Sequence, residues 1–465
     1  MALRFHNTLT RRLEDFAPIR PGEVGLYTCG PTVYDYAHIG NFRTYLWEDL
    51  LRRHLEHRGF RVTQVMNITD VDDKTIAGAL KQGVTLDDYT RTYIDAFFED
   101  LDALGIGRAA VYPRATRHIP EMVAMVERLR ARGHLYESKG SIYFKIDTFP
   151  SYGRLSGLDP DAAAGQARID ADEYDKDNPR DFAVWKMRRG DEPYWDTEIG
   201  QGRPGWHLEC SAMSMKYLGE TFDIHTGGMD NIFPHHENEI AQSEGSTGRP
   251  FVRTWMHAAH LIVDGEKMSK SKGNFHTLRD LMRRGCHPRP IRYLLLSCHY
   301  RKQLNFTFDG IAQAEAALSR LDDLAHRLDN QVLGDGEHAP LLALAERARG
   351  QMLEALDHDL NTAAALGHLF DLVREAHGAL DAGRALRRDA RAVRETLGAF
   401  ESIFGIRLGA QASLDSEVEA LIRKRQQARA ARDWRVADEI RDDLQRRGIV
   451  LEDTPQGVRW KRRGV

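Results

Sequence analysis

Apolar positions change their period several times along the chain, and the changes mark out its architecture. Val24 to Thr28 is a short apolar run that predicts a buried strand, and a Gly30-Pro31 break follows it. Phe42, Tyr45, Leu46 and Leu50 then recur at helical spacing on one face. Arg61 to Thr69 (RVTQVMNIT) is rich in β-branched residues and reads as the next parallel strand. A βαβ unit from about Val24 to Thr69 predicts a Rossmann-like domain. Helical patterns follow at Leu86 to Leu104 and His118 to Arg132, then a strand at Ser141 to Ile146. Between Phe149 and Asp181 the apolar signal collapses into a polar, Gly- and Asp-rich stretch, read as an inserted connection with few anchors. Order resumes with Phe182 to Met187, a helix carrying Cys210, Met213 and Tyr217, and a strand at Phe222 to Thr226. A glycine turn at Gly227-Gly228 leads into a helix on which His235 and Glu239, four apart, share a face.

Past Phe308 the texture is helical. Leu318, Leu321, Leu324 and Leu328 recur at threes and fours, and Leu366, Phe370 and Val373 repeat the pattern after an Asn361-Thr362 start signal. An antiparallel bundle over 309–405 follows from this. Beyond Gly409, Trp434, Ala437, Ile440 and Leu444 give one helical face, preceded by Arg423, Lys424, Arg425, Arg429 and Arg432. GIVLEDTPQGVRWKRR reads as a turn-linked pair of strands.

Length and composition fit this division. At 465 residues and 42% hydrophobic, the chain supports two to four domains with sizeable cores. No apolar run is long enough to span a membrane, and the charged start MALRFHNTLTRRLEDF does not resemble a signal peptide, so a cytoplasmic protein is expected. The four cysteines, Cys29, Cys210, Cys286 and Cys298, form no CxxC pair and no disulfide framework. A net charge of −4 means that a nucleic-acid partner would need local basic surface. No repeat of solenoid period is present.

Candidate chemistry concentrates in three stretches. GEKMSKSKGN, Gly265 to Asn274, carries Lys267, Lys270 and Lys272 among small and hydroxyl residues; it suits a polyphosphate but fits no Walker-type loop. A solvated loop is the bland alternative. His38 to Asn41 falls at the strand-to-helix junction, where free backbone N–H groups and the dipole favour phosphate, and Gly40 allows a ligand close to the backbone. Finally, His235 and Glu239 could hold one ion, with Cys29 and Cys210 completing a set suited to zinc. From spacing alone His236 competes with His235, and a buried cysteine is as readily a core residue.

Taken together, CGPTVYDYAHIGNFRTYL (Cys29 to Leu46) and KMSKS (Lys267 to Ser271) resemble the two signatures of class I aminoacyl-tRNA synthetases. Asn41 stands where many members have a second histidine, and asparagine retains a donor there. The order TCGPTVYDYAHIGN, PGWHLECSAM, GGMDNIFPHHENE, KMSKSKGN resembles the cysteinyl-tRNA synthetase family in particular, over essentially the whole chain. The resemblance implies an α/β fold: a Rossmann-like catalytic domain over 1–308 with a connective insertion at about 110–205, the bundle at 309–405, and a small α+β anticodon-binding unit at 410–465.

It also implies one zinc ion on Cys29, Cys210, His235 and Glu239, and a cysteine pocket lined by Cys29, Gly30, Thr69, Trp206 and His225. ATP, with Mg2+, is expected at Gly40, Gly228, Asp230, Met268 and Lys270, with His38, Asn41, Lys267 and Lys270 as the catalytic set. Arg429, Trp434, Asp438 and Asp453 would read the anticodon, a role that stacking and carboxylate acceptors allow. The implied partners are tRNA(Cys), L-cysteine and ATP, with no membrane and a monomeric state. Thiolate softness explains the metal, since an apolar pocket separates serine from cysteine by only ~1–3 kcal/mol. Two rivals remain open: a ligase joining cysteine to an amino sugar by the same chemistry, which has no use for the terminal unit, and a non-catalytic tRNA-binding paralogue, which would be expected to lose signature lysines or metal ligands.

Overall fold

The computed structural model describes residues 2–158, 180–409, 420–429, 433–446, 449–454 and 457–462. The expected connection after Phe149 therefore lies largely outside the described residues. By internal contacts the chain forms two compact units, Met1–Met268 with Cys298–Asn305 and Ala355–Asn361, and Ser269–Ser297 with Phe306–Glu354 and Thr362–Val465.

In the first unit four parallel strands form one sheet in the spatial order Val252–Ala258, Phe222–Gly228, Glu23–Thr28, Arg61–Met66. Strands buried on both faces need continuous apolar runs, and Leu26, Tyr27, Val65, Ile224, Trp255 and Met256 are all buried. The helix Ile39–His57 makes the crossover between Glu23–Thr28 and Arg61–Met66, and its predicted stripe, Phe42, Tyr45, Leu46 and Leu50, is buried as expected. From the central strand Glu23–Thr28 the chain passes to one neighbour, and the later strands add on the other side. The order reverses at the carboxyl ends of Glu23–Thr28 and its neighbours, the usual ligand position in such sheets.

The expected strand beginning at Arg61 ends at Met66, and Thr69 instead forms an isolated bridge with Thr32. The expected glycine turn at 227–228 is the end of the strand Phe222–Gly228; the chain turns over Met229–Asn231 and Ile232–His236 before the helix Glu237–Thr247. Several elements have no counterpart in the hydrophobic pattern read above, among them the hairpin Arg4–Asn7 with Arg12–Asp15, the helix Asp73–Gln82, the strand Val252–Ala258 and the helices Leu278–Arg283 and Pro288–Leu296. The helices Leu86–Ala103 and Ile119–Ala131 fall where their periodicity predicts. Leu135–Ser138, Ser141–Phe144, Phe182–Met187 and Gly202–Pro204 build a separate antiparallel sheet. On the helix Trp206–Leu218 Met213 is buried, but Tyr217 is 37% exposed and meets His118 Nε2 at 2.9 Å, so the two do not share a buried face.

Residues Ala355–Asn361 join the first unit through polar contacts. Asp357 accepts from His54 Nε2 (2.9 Å) and Arg58 Nε (2.8 Å), and Asp359 accepts from Tyr300 Oη (2.7 Å) and the His6 N–H (2.9 Å).

The second unit contains the helices Phe308–Asn330, Ala339–Asp357 up to Glu354, Thr362–Asp381 and Arg387–Phe404. Leu318, Leu321, Leu324, Leu366 and Val373 are buried in it, as their spacing predicts. In its C-terminal part, residues 420–429 are helical, Trp434–Arg446 forms a second helix, and Ile449–Thr454 pairs antiparallel with Gly457–Arg462. Ile422, Leu444 and Ile449 form a small core there. Ala437 and Leu444 line the buried face, whereas Trp434 is 58% exposed and stands off it.

Candidate active site and metal centre

His38 is the N-cap of the helix Ile39–His57, and it forms a reciprocal box with Asn41. The Asn41 N–H donates to His38 Nδ1 (3.2 Å), and the His38 N–H donates to Asn41 Oδ1 (3.1 Å). A histidine in place of the usual Ser, Thr or Asp leaves a ring over the first turn. That ring supplies a reason for Gly40 different from the expected one. A Cβ there would sit 2.9 Å from His38 Cε1 and Nδ1, so the glycine first makes room for the cap, and Met268 Cε lies 3.4 Å from the same point. Lys267 is exposed on the short hairpin Leu261–Val263 with Glu266–Lys267.

In the second unit, Lys270 opens a short turn, Lys270–Lys272, closed by Gly273 in the left-handed region at φ 69. The Lys270 Nζ lies 5.1 Å from the Phe275 ring centroid, and the Ser269 N–H donates to Asn274 Oδ1 (2.8 Å).

In the first unit, Gly228 donates its N–H to Asn231 Oδ1 (3.1 Å), and Asp230 is exposed, its Oδ1 4.0 Å from His260 Nδ1. A Cβ on Gly227 would lie 2.8 Å from His236 Cε1.

Cys29 follows the central strand, Cys210 lies on Trp206–Leu218, and His235 and Glu239 flank the start of Glu237–Thr247. Their ligand atoms all lie within 4.8 Å of one another. Cys29, His225, His236 and Glu239 satisfy the same criterion, so two sets share Cys29 and Glu239. Glu239 is fully buried; its Oε1 lies 3.1 Å from His235 Nε2, but without a hydrogen-bond donor in proper alignment, while its Oε2 meets His225 Nε2 at 3.0 Å. His235 Nδ1 is engaged by His207 Nδ1 at 2.8 Å, which turns Nε2 toward the cysteines, and Trp206 stacks on the ring at 4.2 Å.

A second row of histidines lies behind. His236 Nε2 is 3.2 Å from Cys29 Sγ, His236 Nδ1 is 2.8 Å from His257 Nε2, and His257 Nδ1 is 2.8 Å from Thr8 Oγ1. His225 stacks on Trp255 at 4.6 Å.

Charge is divided unevenly across this cluster. Cys210 is held down to about 6 by the Cys29 hydrogen bond and by His235 against the opposing effect of burial, while the same hydrogen bond and burial push Cys29 well up. Burial opposes charge on both His235 and Glu239, but Glu239 and Cys210 raise His235 to about 10, and His225 and His235 lower Glu239 to about 2. His236 is driven well down by burial and the neighbouring imidazoles, and His257 to about 3 by burial and His225. Charge is thus favoured on Cys210, His235 and Glu239 at the front, whereas His236 and His257 behind them are held neutral.

Beside the cluster, the Gly30 N–H donates to Asn67 Oδ1 (2.8 Å), and Asn67 Nδ2 donates to Thr69 Oγ1 (3.1 Å). A Cβ on Gly30 would fall 1.8 Å from the Asn67 carbonyl oxygen, so only glycine lets the two strand ends close up. Thr69 and His225 are buried and Trp206 is half-buried at the same edge. Among the anticodon candidates, Arg429 and Asp438 are exposed, Trp434 opens its helix, and Asp453 lies in the terminal hairpin with its side chain outside the described residues.

Residues 15–316 match the family described as tRNA synthetases class I (C) catalytic domain, residues 351–409 the DALR domain, and residues 411–460 the cysteinyl-tRNA ligase anticodon binding domain. The chain is 51% identical over 466 residues to the cysteine–tRNA ligase of Solibacter usitatus (strain Ellin6076), covering 100% of both. It is 50% identical to that of Brachyspira hyodysenteriae (strain ATCC 49526 / WA1), covering 99% of each. Its fold is similar to methionyl-tRNA synthetase of Mycobacterium tuberculosis in complex with methionyl-adenylate, with a TM-score of 0.66 and 16% identity over 82% of this chain and 92% of that one. With a class I catalytic domain, an anticodon-binding domain of the cysteinyl type and half its residues shared with relatives of equal length, the chain belongs to the cysteine–tRNA ligase family.

Proposed function

We propose that the protein activates L-cysteine with ATP and transfers it to tRNA(Cys), with the thiol selected at a zinc ion on Cys29, Cys210, His235 and Glu239. The observation that carries the metal reading is the buried Glu239 Oε1, which has no aligned donor although His235 Nε2 is 3.1 Å away. Two groups this close without a hydrogen bond are those expected to face a common ion, and tetrahedral zinc spaces its donors roughly 3.3–3.8 Å apart. His207, engaging the far nitrogen of His235, is the kind of outer partner that fixes a ligating imidazole. His225 and His236 then act as supports for Glu239 and Cys29. When bound, zinc would supply a soft Lewis acid for the substrate's thiolate, which serine cannot match.

In the first step the cysteine carboxylate attacks the α-phosphorus and pyrophosphate leaves, carried with Mg2+. The residues contribute position and charge rather than a nucleophile. The free N–H groups of the helix after His38, the Asn41 amide nitrogen, Lys267 and Lys270 are the donors for the phosphates. Gly40, Gly228 and Met268 would bound the nucleotide, with Asp230 accepting from its ribose. Cys29 and Gly30, with Thr69, Trp206 and His225, would enclose the amino acid. In the second step a 3′-terminal ribose hydroxyl of the tRNA attacks the carbonyl and AMP leaves. Arg429, Trp434, Asp438 and Asp453 are the candidates for reading the anticodon, and an exposed tryptophan with an exposed carboxylate four positions on, Asp438, suits unstacked bases.

ATP–pyrophosphate exchange tests this reading. Cysteine is expected to drive exchange and serine is not, and metal chelation should abolish the difference. Exchange of equal rate with both amino acids would refute selection by the metal.

A further inference from the structure

Tyr34 and Tyr36 stand on the loop that runs from Gly30 to His38, and no role described above uses them. Their side chains are 38% and 40% exposed, so one short loop presents two aromatic rings to solvent. Two helices hold the loop in place. Tyr89, on Leu86–Ala103, donates its hydroxyl to the Tyr34 carbonyl (2.8 Å), and a Cβ on Gly78 would fall 2.2 Å from that hydroxyl, so Asp73–Gln82 is cut away where Tyr89 passes. Tyr93 meets the Tyr36 ring edge-on at 5.4 Å and the Tyr89 ring at 5.3 Å. Lys74 Nζ lies 4.9 Å from the Tyr34 ring centroid. The carboxylates next to it in the chain are engaged elsewhere: Asp72 accepts from the Lys74 N–H (2.9 Å), and Asp73 accepts from Lys186 Nζ (2.9 Å) and Arg203.

The loop is fastened on the flank of the sheet away from the proposed nucleotide contacts. Thr32 bridges Thr69, the Val33 N–H donates to the Thr69 carbonyl (3.1 Å), and the Thr69 N–H donates to that of Pro31 (3.0 Å), all beyond the strand Arg61–Met66. Gly228 and Asp230 come at the end of Phe222–Gly228, on the other side of Glu23–Thr28. In the chain the loop spans the interval between Cys29, at the proposed metal, and His38, at the proposed phosphate site. The carboxyl group that is activated and then transferred has to lie between those two. A ribose hydroxyl attacking it must bring its own nucleotides past this loop. The 3′ end of a tRNA is unpaired, and aromatic faces with a lysine beside them suit unpaired bases and the phosphates that join them.

We propose that Tyr34 and Tyr36, with Lys74, form the platform on which the unpaired 3′-terminal nucleotides of the tRNA rest during transfer, the rings stacking on bases and the ammonium group meeting a phosphate. The inference rests on the proposed tRNA-charging reading and concerns its second step alone.

The test uses the full-length, zinc-loaded enzyme with a tRNA(Cys) transcript and with the same transcript lacking its unpaired 3′ end. Tyr34→Ala is expected to lower kcat/KM for charging about tenfold or more and leave cysteine-dependent pyrophosphate exchange within about twofold, while Tyr34→Phe, which keeps the ring, charges like wild type. Tyr36→Ala should act in the same direction, which keeps the platform testable if Tyr34→Ala folds poorly. Lys74→Gln should lower charging and make it less sensitive to salt. Trimming the transcript should weaken its binding to wild type and change its binding to Tyr34→Ala far less, a difference that a merely structural role would not produce. Equal falls in exchange and charging, unchanged charging by both alanine variants, or equal sensitivity of wild type and Tyr34→Ala to trimming would overturn the proposal, and unchanged salt dependence in Lys74→Gln would remove the lysine from it. A wild-type enzyme that makes cysteinyl-adenylate but charges no tRNA would instead refute the charging reading, and this inference with it.

Discussion

His38 and Asn41 cap each other, ring nitrogen to backbone on one side and amide oxygen to backbone on the other, at 3.2 and 3.1 Å. The asparagine that replaces a second histidine is thus part of the helix start. Its oxygen is committed to the cap, which leaves its amide nitrogen as the donor for the phosphate contact proposed above.

Asn41→Asp separates the two duties. A carboxylate keeps the acceptor for His38 and suits the helix N-terminus, so the melting temperature should stay near wild type, whereas Asn41→Ala should cost about 1 kcal/mol. Adenylate formation by the aspartate variant should nevertheless fall roughly tenfold or more through repulsion of ATP. Full activity of Asn41→Asp would remove Asn41 from the phosphate site.

Lys270→Ala is expected to lower the rate of adenylate formation about 10²–10³-fold while KM for cysteine changes little, because the charge it meets develops in the transition state. Comparable losses in both constants would contradict that role.

Cys210→Ser should release the metal and erase preference for cysteine over serine, with the fold retained, because a hydroxyl is a poor partner for zinc among thiolate and imidazole donors. Metal analysis alongside exchange assays decides it. Retained zinc together with retained selectivity would point to Cys29, His225, His236 and Glu239 as the ligand set.

Asp359 supplies a pH prediction away from the site. Burial opposes its charge, but His299, Tyr300, the His6 N–H and Arg301 hold it down to about 2. The unfolded value is about 3.9, so its contribution, about 2 kcal/mol, is complete above pH ~4 and is lost as pH falls toward 2. Asp359→Asn should lower stability at pH 7 and flatten its decline between pH 4 and 2 in denaturant titrations. Asparagine tolerates the left-handed backbone at this position, φ 61.

Much of the scaffold is legible in the sequence wherever one period runs long enough. The stripe of Ile39–His57, the helices Phe308–Asn330 and Thr362–Asp381 and three strands of the parallel sheet fall where the apolar spacing puts them, whereas the fourth strand, Val252–Ala258, and the helices Ala339–Asp357 and Arg387–Phe404 are not marked out by it. The helix Asp73–Gln82 escapes because only Thr75, Ile76 and Ala79 are buried; its ends alone, the Asp72 cap and left-handed Gly83, declare it. The four-residue strands near the N-terminus are too short for alternation to register. Cys29, Cys210, His235 and Glu239 stand out by chemistry and do converge. His207 and His257 do not stand out, because their partners lie on other elements: His207 meets His235, and His257 reaches Thr8 across 249 positions. Gly40 is recognisable as a place needing glycine, yet the reason, the His38 ring, is visible only once the cap is formed.

The most direct measurement is cysteine charging of total tRNA by the full chain and by a chain ending at Gly409, with adenylate formation followed in parallel. The account predicts that the full chain charges tRNA(Cys), while the shortened chain makes cysteinyl-adenylate and charges poorly. Adenylate formation by both chains with no charging by either would contradict it and direct attention to an amino-sugar acceptor.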